Sequence, residues 1–163
     1  MTSSNHKSTE TLAKKVQFAV IGGGVIGGGW VARFLLMGSD VKIFDPDPEA
    51  PRKIDEVLSN ARRSLPALYE HALPPEGSLS FVNSISEAVD GSDWVSECVP
   101  EQLKLKHSVM AEIQSHCPKS AIITSSTSGF KPSELQQGSD NPEQIIVAHP
   151  FNPVYLLPLV ELV

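Results

Sequence analysis

One imidazole and one carboxylate interrupt an otherwise apolar, proline-broken stretch, AHPFNPVYLLPLVELV, as His149 and Glu161. The apolar residues ask for burial, and a buried carboxylate is costly without a partner, so His149 is the expected partner of Glu161. Upstream, TSSTSGF is a run of hydroxyls that ends at Ser128. Together these types could oxidise an alcohol. Hydride loss from a carbinol needs a base for the hydroxyl proton, and imidazole suits that task near neutral pH. A carboxylate on the other ring nitrogen would fix the tautomer and support the imidazolium. A serine hydroxyl could hold the substrate oxygen. Each residue also has a plainer use. Serine after a strand is commonly a cap or turn, and Ser133 with Glu134 reads as such a cap. A strand-end histidine is commonly structural, and Glu161 would suit the solvent face of an edge strand.

A second chemical signal is the loop AVIGGGVIGGGW. Gly22, Gly24 and Gly27 have the G-x-G-x-x-G spacing, with Val25 and Ile26 between the last two. Gly22 permits a tight turn, Gly24 a close backbone approach to a pyrophosphate, and Gly27 close packing of helix on strand. The helix start offers free N–H groups and a partial positive charge to an anion. Glycine patterns occur in many loops, so context decides. Here a strand precedes, a helix follows, and Asp45 ends the next strand eighteen residues after Gly27. That acid would accept from the adenosine ribose hydroxyls and repel a 2′-phosphate, favouring NAD over NADP. FAD is the rival cofactor, and nothing downstream reads as a flavin site.

The elements that must position these groups follow from periodicity. Short Val/Ile-rich runs at 16–21, 41–45, 79–82, 93–99, 121–126 and 145–149 read as buried strands. Helical spacing follows the glycine loop and stops at Gly38. A long amphipathic helix spans 47 to about 71, with Pro48 and Pro51 in its first turn and Pro66 as a kink or break. SISEAVDGSD makes a short helix ending at Gly91, and 101–117 a helix with Leu103, Val109, Met110 and Ile113 on one face. Strands alternating with helices, each strand a continuous apolar run, make an α/β domain of Rossmann type. Its doubly wound, mostly parallel sheet has helices on both faces. Ser128 and His149 then share the carboxyl edge of the sheet, where ligands bind in such folds.

Composition narrows the partners. A chain of 163 residues with net charge −6 has no basic stripe for a nucleic-acid backbone. Cys98 and Cys117 have no metal-site spacing, and few scattered thiols fit a reducing interior. Residues 1–15 are polar, without the apolar core of a signal peptide, and read as a loose tail before a domain at 16–163. No apolar run reaches the roughly eighteen residues of a membrane helix. A cytoplasmic protein acting on a small molecule, without membrane or nucleic-acid partners, is expected.

The chain is identified from these motifs as resembling the 3-hydroxyacyl-CoA dehydrogenase family over nearly everything from Val16 to Val163. HPFNPVYLLPLVE is similar to the family's His-x-Phe-Asn-Pro and Leu-Val-Glu, which implies catalytic roles for His149, Asn152 and Glu161. SSTS is similar to its substrate-holding motif and implies Ser128. EQLKLK is similar to the Glu-x-Leu-x-x-Lys beside the cofactor's ribose and nicotinamide, which implies Glu101 and Lys106. Finer wording, GGGVIGGGWVARFL, FDPDPEA and SSTSGFKPSE, resembles the carnitine-oxidising members. Acyl-CoA members typically have Asn at the place of Ser126 and Phe at that of Pro150. The resemblance thus implies NAD-dependent oxidation of the 3-hydroxyl of L-carnitine, with a 3-hydroxyacyl-CoA or related 3-hydroxy acid as the alternative. It further implies a following helical domain that supplies another asparagine, much of the substrate pocket and a homodimer interface. A catalytically silent NAD-binding module is the remaining alternative. Tyr155, Phe151 and Trp30 are the aromatics near the motifs that a trimethylammonium group could use.

Overall fold

A computed structural model describes residues 15–163, so all of the expected tail except Lys15 lies outside the described residues. Six strands run parallel: β1 (Phe18–Ile21), β2 (Val41–Phe44), β3 (Leu79–Phe81), β4 (Trp94–Glu97), β5 (Ile122–Ser125) and β6 (Ile145–Pro150). A seventh, β7 (Val160–Leu162), pairs antiparallel with β6. The spatial order is β3-β2-β1-β4-β5-β6-β7. The order reverses between β1 and β4, so the crevice beyond their carboxyl ends is the natural ligand site.

Both sheet faces are covered, which explains the apolar runs. Ala19 and Ile21 of β1 pack with Val95 and Ile123 beneath α3 (Ile85–Val89) and α4 (Leu103–His116). Val20 faces the other way, toward α1 (Val25–Leu36) and α2 (Ala50–Ser64). On α2 the buried residues Ile54, Leu58 and Ala61 recur at helical spacing and continue into Leu65. The expected face of α4 is as read, with Leu103, Val109, Met110 and Ile113 in one cluster.

Several boundaries differ from expectation. The first strand begins at Phe18, and Val16 is exposed before it. The long helix starts at Ala50 with Pro51 in its first turn, leaving Pro48 outside. It ends at Ser64 and tightens into a 3-10 turn, Leu65–Leu68, where Pro66 lacks the N–H a further α-turn requires. Glu101 sits in the turn ahead of α4 rather than on it. Ser133 is not the cap of α5 (Pro132–Leu135). The Glu134 carboxylate accepts from the Lys131 N–H instead, at 2.8 Å. Among the described residues no helix is long and apolar enough to cross a membrane.

Candidate active site

The glycine loop joins β1 to α1 at the sheet's switch point. Gly22 has φ +98°, and a Cβ there would lie 2.7 Å from the Cys98 carbonyl oxygen, so only glycine fits beside β4. A Cβ on Gly27 would meet the Gly22 carbonyl oxygen at 1.8 Å. Gly24 is different: a Cβ there would meet nothing within 4 Å, so no protein packing explains the glycine. Among the described residues no side chain caps α1 and no acid stands in its first turn, so none of them answers its free N–H groups and positive end. Val25 is exposed at this helix start, and Ile26 packs partly against the α1–α2 core.

Asp45 follows β2 and bridges the loop. Its Oδ2 accepts from the Gly23 N–H at 2.5 Å and its Oδ1 from the Asp47 N–H at 2.7 Å. Gly22, Gly24 and Asp45 line a cleft of about 550 Å³ whose other walls, including Phe44, Ile85, Leu105 and Val109, are apolar. An apolar slot with a carboxylate and an uncapped helix start at its mouth suits a dinucleotide: flat base in the slot, ribose on the acid, pyrophosphate over Gly24. Cys98 also reaches this cleft. Desolvation pushes its thiol up to about 12, against the opposing Ser126 hydroxyl, so it is no nucleophile at neutral pH.

The second constellation lies farther along the same sheet edge. Cross-strand pairing of β6 with β7 sets His149 opposite Glu161, and antiparallel neighbours share a face. The His149 Nδ1 and Glu161 Oε2 are 3.1 Å apart. A carboxylate can only accept, so His149 donates through Nδ1–H and turns Nε2 away from Glu161. Against expectation the pair is not buried: 29% of the histidine side chain and 60% of the glutamate side chain are exposed. An ion pair so exposed contributes at most about 1 kcal/mol, so what it sets is orientation more than stability. Ser128, His149 and Glu161 line one cavity of about 220 Å³ together with Phe130, Lys131 and Val163. Asn152 is not part of that lining; it is exposed in the turn between β6 and β7. Phe151 stands beside the imidazole at 5.8 Å between ring centroids. Trp30 is not an available aromatic: it is buried, stacked on Phe34, and its Nε1–H donates to Ser126 Oγ at 3.1 Å.

Glu101 and Lys106 behave differently from each other. Glu101 is partly exposed, and its carboxylate accepts from the Thr127 hydroxyl beside Ser128. Burial opposes its ionisation, but the Thr127 hydroxyl and the Lys106 ammonium outweigh that and hold it below the usual carboxylate range. Lys106 is 1% exposed and does not reach into either cavity. Its Nζ lies 2.9 and 3.1 Å from the two Glu97 oxygens and 3.3 Å from Glu101 Oε2. Glu97, wholly buried on β4, was not legible as a site residue. Its carboxylate also accepts from Ser125 Oγ at 2.5 Å and from the Val99 N–H at 2.7 Å. Removing one partner of such a pair costs about 3–5 kcal/mol, because the other charge is left buried alone.

Comparison with known proteins agrees with this geometry. A family model, "3-hydroxyacyl-CoA dehydrogenase, NAD binding domain", matches residues 17–163. The chain is 67% identical to the L-carnitine dehydrogenase/betainyl-CoA thioesterase of Ruegeria pomeroyi over 145 residues, covering 89% of this chain and 30% of that one. It is 58% identical to the L-carnitine dehydrogenase of Mesorhizobium japonicum over 146 residues, covering 89% and 40%. Among solved structures, FHMPC 5-dehydrogenase, an NAD-dependent dismutase, superposes with TM-score 0.82 at 34% identity, covering 91% of this chain and 48% of that one. The chain thus spans less than half the length of each of these proteins. With its glycine loop, the acid after β2 and the sheet order in place, the chain belongs to the 3-hydroxyacyl-CoA dehydrogenase family, as an NAD binding domain.

Proposed function

We propose that this chain supplies the cofactor domain and the catalytic groups of an NAD-dependent dehydrogenase that oxidises the 3-hydroxyl of L-carnitine to 3-dehydrocarnitine. The observation that carries the reading is the His149–Glu161 contact opening onto the cavity that Ser128 lines. Bound NAD supplies the acceptor for the hydride that leaves the carbinol carbon. The backbone of Gly22, Gly24, Val25, Ile26 and Gly27 holds the pyrophosphate, and Asp45 holds the adenosine ribose. Ser128 orients the substrate oxygen. His149 takes the hydroxyl proton on Nε2, while Glu161 keeps Nδ1 protonated and stabilises the imidazolium that forms. Asn152, exposed in the turn after β6, is the further polar group proposed for this chemistry. Glu101 borders the nicotinamide side through Thr127.

The substrate part is supported by relatives named for L-carnitine and by the cavity's own charges. A 3-hydroxy acid bearing a quaternary ammonium needs a cation for its carboxylate and an aromatic or anionic surface for its ammonium. Lys131 and Glu161 line the cavity, and the exposed Phe151 ring adjoins it. The test is an NADH-formation assay of this chain with L-carnitine, and with 3-hydroxybutyryl-CoA as the rival, alongside calorimetric NADH binding. His149→Gln is expected to lower turnover by about 10²- to 10⁴-fold and leave NADH affinity unchanged. Near-normal turnover in that variant would remove His149 as the base. Oxidation of the thioester alone would overturn the carnitine assignment. NADH binding with no turnover of either substrate would leave a cofactor-binding module.

A further inference from the structure

One hydrogen bond ties α1 to the loop that carries Ser128, and nothing in the proposed chemistry uses it. Trp30 of α1 is 8% exposed, and its Nε1–H donates to Ser126 Oγ at 3.1 Å. An indole has one donor and no acceptor, so its orientation decides what it can hold. That orientation is set from the other side. The Trp30 ring stacks on Phe34 at 5.2 Å between centroids, and Phe34 stacks on Phe18 of β1 at 4.0 Å. The indole is thus a fixed donor, and the short Ser126 side chain is the part that turns to meet it. Ser126 itself stands at a joint. Its N–H donates to the Glu97 carbonyl of β4 at 2.9 Å, and its hydroxyl lies 3.3 Å from Cys98 Sγ, on the wall of the cofactor cleft. Two residues on is Ser128. The Thr127 hydroxyl between them accepts from the Gly129 and Phe130 N–H groups at 3.2 and 3.1 Å, which folds residues 127–130 into one closed turn. Ser128 therefore follows wherever Ser126 is held.

We propose that Trp30 is a positioning residue: its indole N–H fixes Ser126, and through it the turn that presents Ser128 to the cavity. This rests on the reading of Ser128 given under the proposed function. Neither Trp30 nor Ser126 lines either cavity, so the action passes through the turn and not by contact with substrate or cofactor. The same helix holds the other half of the site. One residue before Trp30, Gly29 leaves room for Val154, whose Cβ a methyl there would meet at 2.8 Å. Three residues after it, Arg33 Nη1 donates to the Tyr155 carbonyl at 3.2 Å. Val154 and Tyr155 both lie in the connection from β6 to β7. Hence α1 is the common frame for Ser128 and for the hairpin of His149 and Glu161, and Trp30 is the member of that frame that reaches the hydroxyl side.

Trp30→Phe keeps a ring on Phe34 and removes the indole N–H, while Ser126→Ala removes the acceptor and leaves the stack untouched. Both variants and their combination should be followed by amide hydrogen exchange, calorimetric NADH titration and the L-carnitine assay. Each single variant should speed exchange at Gly129 and Phe130 by about 3- to 10-fold, the factor expected for one net hydrogen bond, with the β1 amides unchanged. Turnover, kcat, should fall by a similar factor while NADH affinity stays at the parent's. The double variant should lose no more than either single one, since both remove the same contact. In a nitrogen–proton correlation spectrum the Trp30 indole signal should shift in Ser126→Ala, and that of Trp94, which donates to Ser96, should not. Unchanged exchange at Gly129 and Phe130 in Ser126→Ala would overturn the proposal, because that variant leaves the ring stack as it is. Additive losses in the double variant would overturn it as well, and so would faster exchange spread through β1, the sign of a general loosening. A parent that oxidises no substrate would remove the catalytic reading of Ser128, and the exchange and indole results would still decide whether Trp30 holds the turn.

Discussion

Asp45 is asked to do two jobs with one carboxylate. Facing the protein, it ties the glycine loop to the turn after β2 by accepting from the Gly23 and Asp47 N–H groups. Facing the cleft, its remaining lone pairs are the ones proposed to meet the ribose. Asp45→Asn keeps a carbonyl oxygen for one backbone donor and loses the charge. A hydrogen bond to a charged group is worth about 1.5–3 kcal/mol, so NADH should weaken by about 10- to 150-fold. NADPH, no longer repelled, should gain relative to NADH, and calorimetric titrations of both ligands would show it. An unchanged preference for NADH would mean that another residue reads the ribose. Asp45, the glycines and Ser128 could be singled out because each belongs to a local pattern of adjacent residues. Glu97 could not. It ends the plain strand WVSE, and its role exists only because α4 folds back to place Lys106 against it, nine residues on. Lys106 was singled out for its place in a motif, while its ion pair with Glu97 is made by the fold and could not be read from spacing.

At the scale of elements, α1 is a rigid wedge between the glycine loop and the β6–β7 hairpin. Its glycines separate into those packed by protein and those that are not. A Cβ on Gly29 would lie 2.8 Å from Val154 Cβ, in the segment that leads toward β7 and Glu161. A Cβ on Gly24 would meet open space. Gly29→Ala should therefore cost about 1–3 kcal/mol by overpacking, read as a lower melting temperature. Gly24→Ala should melt like the parent and bind NADH more weakly, since the methyl enters the space assigned to the pyrophosphate. If Gly24→Ala binds NADH normally, the pyrophosphate lies elsewhere. The strands and the faces of α2 and α4 were legible from periodicity, and the break at Pro66 from its missing N–H. The antiparallel β7 was weighed only as an edge strand for Glu161. Three residues after a proline-broken turn carry too short a pattern to declare themselves, and the pairing with β6 is a long-range event. That pairing is what brings the imidazole and carboxylate together, so the two residues could be named from the sequence before the register that pairs them could.

At the scale of the molecule, the cofactor should act as a fold ligand, because its proposed contacts are shared by separate parts of the sheet. The glycine loop follows β1, Asp45 follows β2, and Glu101 is tied to the loop after β5, so no unfolded segment can present the same set. A ligand that binds only the folded chain stabilises it by RT ln(1 + [L]/Kd), about 2.7 kcal/mol at one hundred times Kd. For a domain of this size about 1 kcal/mol moves the melting temperature by about 2–4 °C, so saturating NADH should raise it by roughly 5–11 °C. His149→Gln should show the same rise, because the imidazole is proposed to serve the substrate and not the dinucleotide. Gly24→Ala and Asp45→Asn should show a smaller one at equal ligand concentration. A melting curve indifferent to NADH would mean that this chain alone does not assemble the cofactor site. The dinucleotide contacts would then have to be completed by the rest of the longer relatives, while the His149–Glu161 pair, which depends only on β6 and β7, would be untouched by that result.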